Sequence, residues 1–324
     1  MDRGRPLLTL LALLGGYACL SQTGTLDSSF DEDGIVVTTF GGLYSPCRAV
    51  VVQADGKVII GGASVQGSLD LTLVRYLPNG DPDPGFGTNG IVTTDLSDTG
   101  PDQCYALLVQ PDGRIVAAGY AGGDFAVARY HPDGTPDIGF GGDGSVIFPV
   151  GEGAAFVSSL AVQSDGKVLA TGSAYIDGWY DFALARLNQD GSLDQSFGAN
   201  GIVTATMDDE DDARAVAVQE DGKLLVAGST HHFPDNDGRD FALLRFNADG
   251  TPDATFGAGG QHRLSLSIYE DAADAVIVLP DGRILVTGLS QTLGGNNLAL
   301  TRFSPDGTLD GSFGDEGIVL VPMS

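Results

Sequence analysis
The residues best equipped for chemistry are an acidic run, Asp208, Asp209, Glu210, Asp211 and Asp212, and a histidine pair, His231 and His232, with Asp235 and Asp237 just beyond it. Carboxylates gathered in one loop can hold a hard cation such as Ca²⁺, which takes about six to eight oxygens. Imidazoles with carboxylates are the usual ligands of a transition metal. Neither pattern is complete, because the acidic run lacks the alternating aspartates and glycine of a calcium loop, and residues 235–238 are only a fragment of one. Neighbouring side chains on one loop rarely converge on a single ion, so a solvated loop is the simpler reading of both. Calcium is the one ion these residues leave open. No catalytic residue and no cofactor is expected, since no Ser-His-Asp order, phosphate-cradling glycine loop or carboxylate pair stands out by its spacing.

A second charged set recurs and therefore reads differently. Arg75, Arg129, Arg186, Arg245 and Arg302 are each followed eight residues later by an aspartate, at Asp83, Asp137, Asp194, Asp253 and Asp310. A pair present in every unit cannot mark one active site, whereas an ion pair tying a turn to its strand would recur in this way. Gly62, Gly119, Gly172, Gly228 and Gly288 recur as well, and read as places of close backbone approach or a bulge.

What positions these residues is a repeat. Phe30, Phe86, Phe140, Phe197, Phe256 and Phe313 stand 56, 54, 57, 59 and 57 residues apart. In the third unit, apolar runs at residues 144–150, 159–163, 167–172 and 181–187 read as four short strands. Asp-Gly-Lys or Asp-Gly-Arg separates the second from the third in every unit, from Asp55, Asp112, Asp165, Asp221 and Asp281, as a hairpin turn with a left-handed glycine requires. The later strands are apolar at almost every position, as in residues 50–52, 58–60 and 71–74, so both faces of each sheet are expected to be covered.

Four-stranded antiparallel sheets stacked face to face are the blades of a β-propeller, so the expected fold is an all-β propeller. The units fall at about residues 31–86, 87–140, 141–197, 198–256 and 257–313, with a closing strand at 314–321, in one domain spanning 25–324. The Phe-Gly stretch and its strand occur six times against five for the other strands, so one terminal copy is surplus. It either closes a five-bladed ring, the favoured form, or caps an open arc or solenoid.

The recurring pattern Leu-Asp-x-Ser-Phe-Gly-x-x-Gly-Ile-Val, Ala-Val-x-Gln-x-Asp-Gly-Lys and Phe-Ala-Leu-x-Arg-Phe resembles the delta-60 repeat family of bacterial proteins. The likeness covers about residues 25–321 and departs in the first copy, where Asp31 stands in place of the glycine after Phe30. It implies a propeller-like, extracytoplasmic repeat protein and brings no catalytic residue or cofactor. Repeated Trp-Asp pairs are missing, and Trp179 is the one tryptophan, which argues against WD-type and quinone-cofactor propellers.

Function is expected where the units differ. The constant Asp-Gly turns fall on one face of an up-and-down blade, and the variable loops on the other. Those loops are residues 43–46, 97–102, 151–155, 207–212 and 267–274, with 65–68, 121–123, 175–180, 230–239 and 291–296. An interaction or structural scaffold for an envelope protein or glycan on that face is the leading reading, with the chain expected as a monomer. The alternative is a lactonase-like, metal-dependent hydrolase with its site at the central channel.

A net charge of -27 excludes nucleic acid as a partner. Arg3 and Arg5 ahead of an apolar run at 7–14 and small residues before Cys19 make residues 1–19 an export signal, followed by a linker at 20–24. Export to the cell envelope or beyond is therefore expected. Cys19 could be lipidated, which would be the only membrane anchor, or the signal could be of the plainly secreted type. Cys47 and Cys104 hold equivalent positions in adjacent units, about 10 Å apart by sheet packing, and are expected as unpaired, largely buried thiols.

Overall fold
The computed structural model describes residues 25–39, 46–65, 68–98, 100–233 and 238–323. The signal segment with Cys19, and Asp235 and Asp237, lie outside them. Among the described residues there is no helix, hence none able to cross a membrane.

Among the described residues, twenty strands form five antiparallel meanders of four. The first sheet holds β1 (Cys47–Val52), β2 (Val58–Val65), β3 (Leu69–Tyr76) and β4 (Ile91–Thr94), and the second β5 (Asp102–Val109), β6 (Ile115–Ala121), β7 (Asp124–Tyr130) and β8 (Ser145–Phe148). The third holds β9 (Ala155–Val162), β10 (Val168–Ile176), β11 (Trp179–Leu187) and β12 (Ile202–Ala205). The fourth holds β13 (Glu210–Val218), β14 (Leu224–His231), β15 (Asp240–Phe246) and β16 (Gln261–Leu264). The fifth holds β17 (Asp271–Val278), β18 (Ile284–Thr292), β19 (Gly295–Phe303) and β20 (Ile318–Pro322).

The strand after each Phe-Gly stretch pairs backward, β4 with β3 and β20 with β19, so each sheet ends with it rather than beginning there. Sheet boundaries are thus shifted from the units at 31–86 and onward, whose opening strand belongs to the sheet before. The return is local: Arg75 N–H donates to Gly90 O at 2.8 Å and Asp83 N–H to Arg75 O at 2.9 Å, which folds the stretch onto the strand it leaves.

Each first strand carries a bulge opposite the recurrent glycine, as at Cys104/Ala106 facing Gly119 and at Ala213/Ala215 facing Gly228. A Cβ on Gly119 or Gly228 would run into the carbonyl oxygen of Gln103 or Asp212. The bulge therefore lies in the partner strand, and the glycine makes room for it.

Successive first strands β1, β5, β9, β13 and β17 pack on one another and lie innermost. Four apolar cores fill the four gaps between neighbouring sheets, with Phe86, Phe140, Phe197 and Phe256 all 0 % exposed. Among the described residues no strand of the first sheet packs extensively on one of the fifth, so the propeller is an open arc rather than the closed ring.

The surplus copy explains the first end. Residues 26–39 lie on the outward face of the first sheet as the Phe86 stretch lies on the second: Asp31 N–H donates to Asn79 O at 2.8 Å, and Gly87 N–H to Asp133 O at 2.9 Å. Thr38 bonds Tyr76 just as Thr94 bonds Tyr130. Asp31, the departure noted in this copy, takes the positive φ of 50° that Gly87 takes at 52°. Aspartate tolerates that region by local hydrogen bonding. The place a closing fifth sheet would need is thus occupied from within the chain, while β20 completes the fifth sheet.

Cys47 and Cys104 are both free, facing Gly62 and Gly119 in equivalent registers. Cys104 is buried, but Cys47 is exposed, which corrects the expectation of two buried thiols. The position is covered only by a preceding sheet, and the first sheet has none. Val157, Ala213 and Ala273, its counterparts further on, are all 0 % exposed.

Candidate functional site
The two ends of the strands form two faces of different character. On the turn face every unit builds the same assembly. Arg75, Arg129, Arg186, Arg245 and Arg302 each bring Nε to an aspartate Oδ2 of Asp83, Asp137, Asp194, Asp253 or Asp310, at 2.8, 2.7, 2.8, 2.7 and 2.8 Å. Each guanidinium also covers a repeat phenylalanine, at 4.5 Å for Arg186 over Phe197 and 4.3 Å for Arg245 over Phe256. Arg75, Arg186 and Arg245 reach on to the backbone oxygen of the next unit's turn, at Pro132, Ala248 and Pro305. One side chain therefore ties a strand, its own return and the neighbouring sheet.

A third partner escaped the sequence reading. The cation of each Asp-Gly-Lys/Arg hairpin reaches the same aspartate, as Lys167 to Asp194 at 2.8 Å, Lys223 to Asp253 at 3.0 Å and Arg283 to Asp310 at 3.2 Å. The signal was there in the sequence: the residue after Asp-Gly is Lys or Arg in all five units, whereas the hairpin needs no charge at that place. Burial pushes the Asp194 carboxyl up, but hydrogen bonds from Lys167 and Ser196 and the charge of Arg186 outweigh it and hold the group well below the usual carboxylate range. This machinery binds the fold together.

The loop face varies from sheet to sheet. There the acidic run is dispersed: Asp208 accepts from Thr230 at 3.2 Å and Arg263 at 3.0 Å, and Asp209 from Phe233 N–H at 2.7 Å. Glu210 pairs with Arg239 at 2.5 Å and Asp212 with Arg214 at 2.9 Å. His232 Nδ1 lies 3.1 Å from Asp209 and 3.8 Å from Asp208. His231 turns edge-on to Phe233, with ring centres 4.1 Å apart.

Asp211 is buried and accepts from Met207 N–H at 2.7 Å. Burial pushes its carboxyl up to about 6, and the nearby Asp181 charge adds to this. These seven residues are engaged by protein groups, and among the described residues they do not gather into a set of metal ligands.

The loop face also carries an aromatic ledge. Trp179, at the β10–β11 hairpin, stacks on Phe233, which follows β14, with ring centres 5.1 Å apart and planes 24° apart. Their exposures are 44 % and 43 %, high for side chains of this size. Tyr175 and Tyr180 continue it along the third sheet, edge to face at 5.5 Å. Sequence reading put these two hairpins on one face, although residues 210–212 and 271–274 lie in β13 and β17 rather than in loops, and it could not bring hairpins 54 residues apart into contact.

No curated protein matches the chain. Two bacterial proteins of unknown function share its fold, one from Bacteroides caccae and one from Dyadobacter fermentans, each 12 % identical with a TM-score of 0.50. The alignments cover 87 % of this chain and 89 % of the first, and 82 % of both in the second. A virginiamycin B lyase from Staphylococcus aureus aligns over 89 % of this chain and 74 % of its own at 11 % identity, with a TM-score of 0.45. At 12 % identity the likeness to the Bacteroides and Dyadobacter proteins shows the fold alone.

The family model that matches is a β-propeller domain of unknown function, DUF5122, at residues 53–86, 110–140, 163–197, 219–256 and 279–313. Each match runs from the hairpin turn to the repeat phenylalanine, enclosing the arginine, the aspartate and the hairpin cation. With five such repeats and five corresponding sheets, the chain belongs to the DUF5122 β-propeller family, the delta-60 repeat type.

Proposed function
We propose that the protein is an exported interaction scaffold that engages an envelope protein or glycan through its loop face. The observation that carries this is the Trp179–Phe233 ledge, a half-exposed aromatic surface shared by two sheets on the face where the units differ. Exposed aromatic faces supply contact area with little side-chain entropy to lose, and they are enriched where proteins meet partners. The basic, apolar and small-residue order of the first 19 residues supports export.

The hydrolase alternative calls for convergent carboxylate or amide groups at the channel. Among the described residues, the one group of three acidic ligands, Asp70, Asp95 and Asp102, lies at the loop end of a sheet junction.

The test compares the purified chain with Trp179→Ala and Phe233→Ala in capture from an envelope fraction and on an array of envelope polysaccharides. The scaffold reading expects one saturable partner, lost in both variants, whose thermal unfolding stays within a few degrees of the parent. Capture unchanged by both substitutions would refute the ledge as the binding surface.

A further inference from the structure
At the junction of the first two sheets, Asp70 at the start of β3, Asp95 just after β4 and Asp102 at the start of β5 bring one carboxylate oxygen each within 4.8 Å of one another. Two ligands of one Ca²⁺ lie at about 2.3–2.6 Å from it, so oxygens on opposite sides are separated by about twice that distance. The three oxygens therefore fit around a single ion. Asp102 is 0 % exposed; its Oδ2 accepts Leu96 N–H at 2.5 Å and Ser97 N–H at 3.1 Å, while its Oδ1 has no partner. A fully buried carboxylate oxygen without a donor is costly unless something outside the protein satisfies it.

The other junctions show what this one lacks. Between the third and fourth sheets, Asp181 and Asp211 occupy the matching places, but Thr206 replaces the third carboxylate and donates to Asp181 at 2.9 Å. Between the fourth and fifth, Arg263 neutralises Asp240 at 2.5 Å, and both oxygens of Asp271 are engaged by Ser267 and Leu266. Between the second and third, Pro149 and Ala155 leave Asp124 alone. Among the described residues, only at the first junction do three carboxylates meet, and no Lys, Arg or His there forms an ion pair with any of them.

We propose that Asp70, Asp95 and Asp102 form a binding site for a hard divalent cation, calcium, that clamps the first sheet to the second. Three carboxylates from three separate segments supply the charge, and Asp95, being exposed, leaves the ion open to water for its remaining ligands. With so few protein ligands the affinity belongs to the weak range, a Kd on the order of 10⁻⁴–10⁻³ M.

The experiment is thermal unfolding of the full chain at pH 7.5, after chelation, with CaCl₂ titrated to 10 mM and MgCl₂ at equal ionic strength as the control for general screening of the acidic surface. Calcium is expected to raise the unfolding temperature by several degrees in a saturable step that magnesium does not match. Asp95→Asn, at an exposed position, should abolish that step without harming the fold, and Asp70→Asn should weaken it. Asp209→Asn, in the acidic run, should leave it intact. A step unchanged in Asp95→Asn, a step lost in Asp209→Asn, or no saturable step at 10 mM would each overturn the proposal.

Discussion

The turn face and the loop face are made from the same strands and carry the same kind of acidic residue, yet they use it in opposite ways. On the turn face each aspartate sits between two cations, as Asp194 does between Arg186 and Lys167, and its charge is stabilised. On the loop face the buried aspartates Asp102 and Asp211 each cap a loop through one oxygen and leave the other without a partner. The first arrangement repeats because every sheet needs it. The second varies, and variation with unspent hydrogen-bonding capacity is where a ligand can act.

The largest expected effect tests the turn face. Arg186→Met leaves Asp194 buried with one cation fewer and severs the bond to Ala248, so urea unfolding should show a loss of about 3–5 kcal/mol. Arg302→Met should cost less, because among the described residues that arginine holds no turn of a further sheet and Asp310 is more open to water. Equal costs would mean that the bond to the next sheet contributes nothing.

The loop face should respond to pH in the reverse sense. A folded carboxyl raised to about 6 binds its proton more tightly than the unfolded chain does, so the fold is favoured below about pH 4 and that advantage is lost as pH rises through about 6. Relative to Asp211→Asn, the parent should therefore lose on the order of 2–3 kcal/mol between pH 4 and pH 7. The turn-face aspartates, with depressed values, contribute stability above the unfolded carboxylate range and lose it only as pH falls further. A parent-minus-variant difference flat from pH 4 to 7 would show that Asp211 does not titrate in this way.

The smallest effect distinguishes the end sheet from the inner ones. Cys47 should be alkylated within minutes in the native protein, whereas Cys104, whose thiol burial pushes up to about 12, should react only on unfolding. Mass mapping after a short pulse reads both. Protection of Cys47 equal to that of Cys104 would mean that a sheet covers the first one in solution, as in a closed ring.

Sequence alone determined the strands, their antiparallel order and the number of sheets, because each is local: the period of the phenylalanines, the turn residues after Asp55 or Asp165 and the apolar runs need no distant partner. It also marked Arg186 and Asp194 as structural by recurrence. Tertiary structure decided what depends on residues far apart in the chain. The backward pairing of β4 on β3 shifted the sheet boundaries, and residues 26–39 took the outward face of the first sheet, which exposed Cys47 and left the arc open. The Asp70, Asp95 and Asp102 cluster stayed invisible for the same reason. No spacing distinguishes those three aspartates among so many, and only the stacking of two sheets brings their oxygens together.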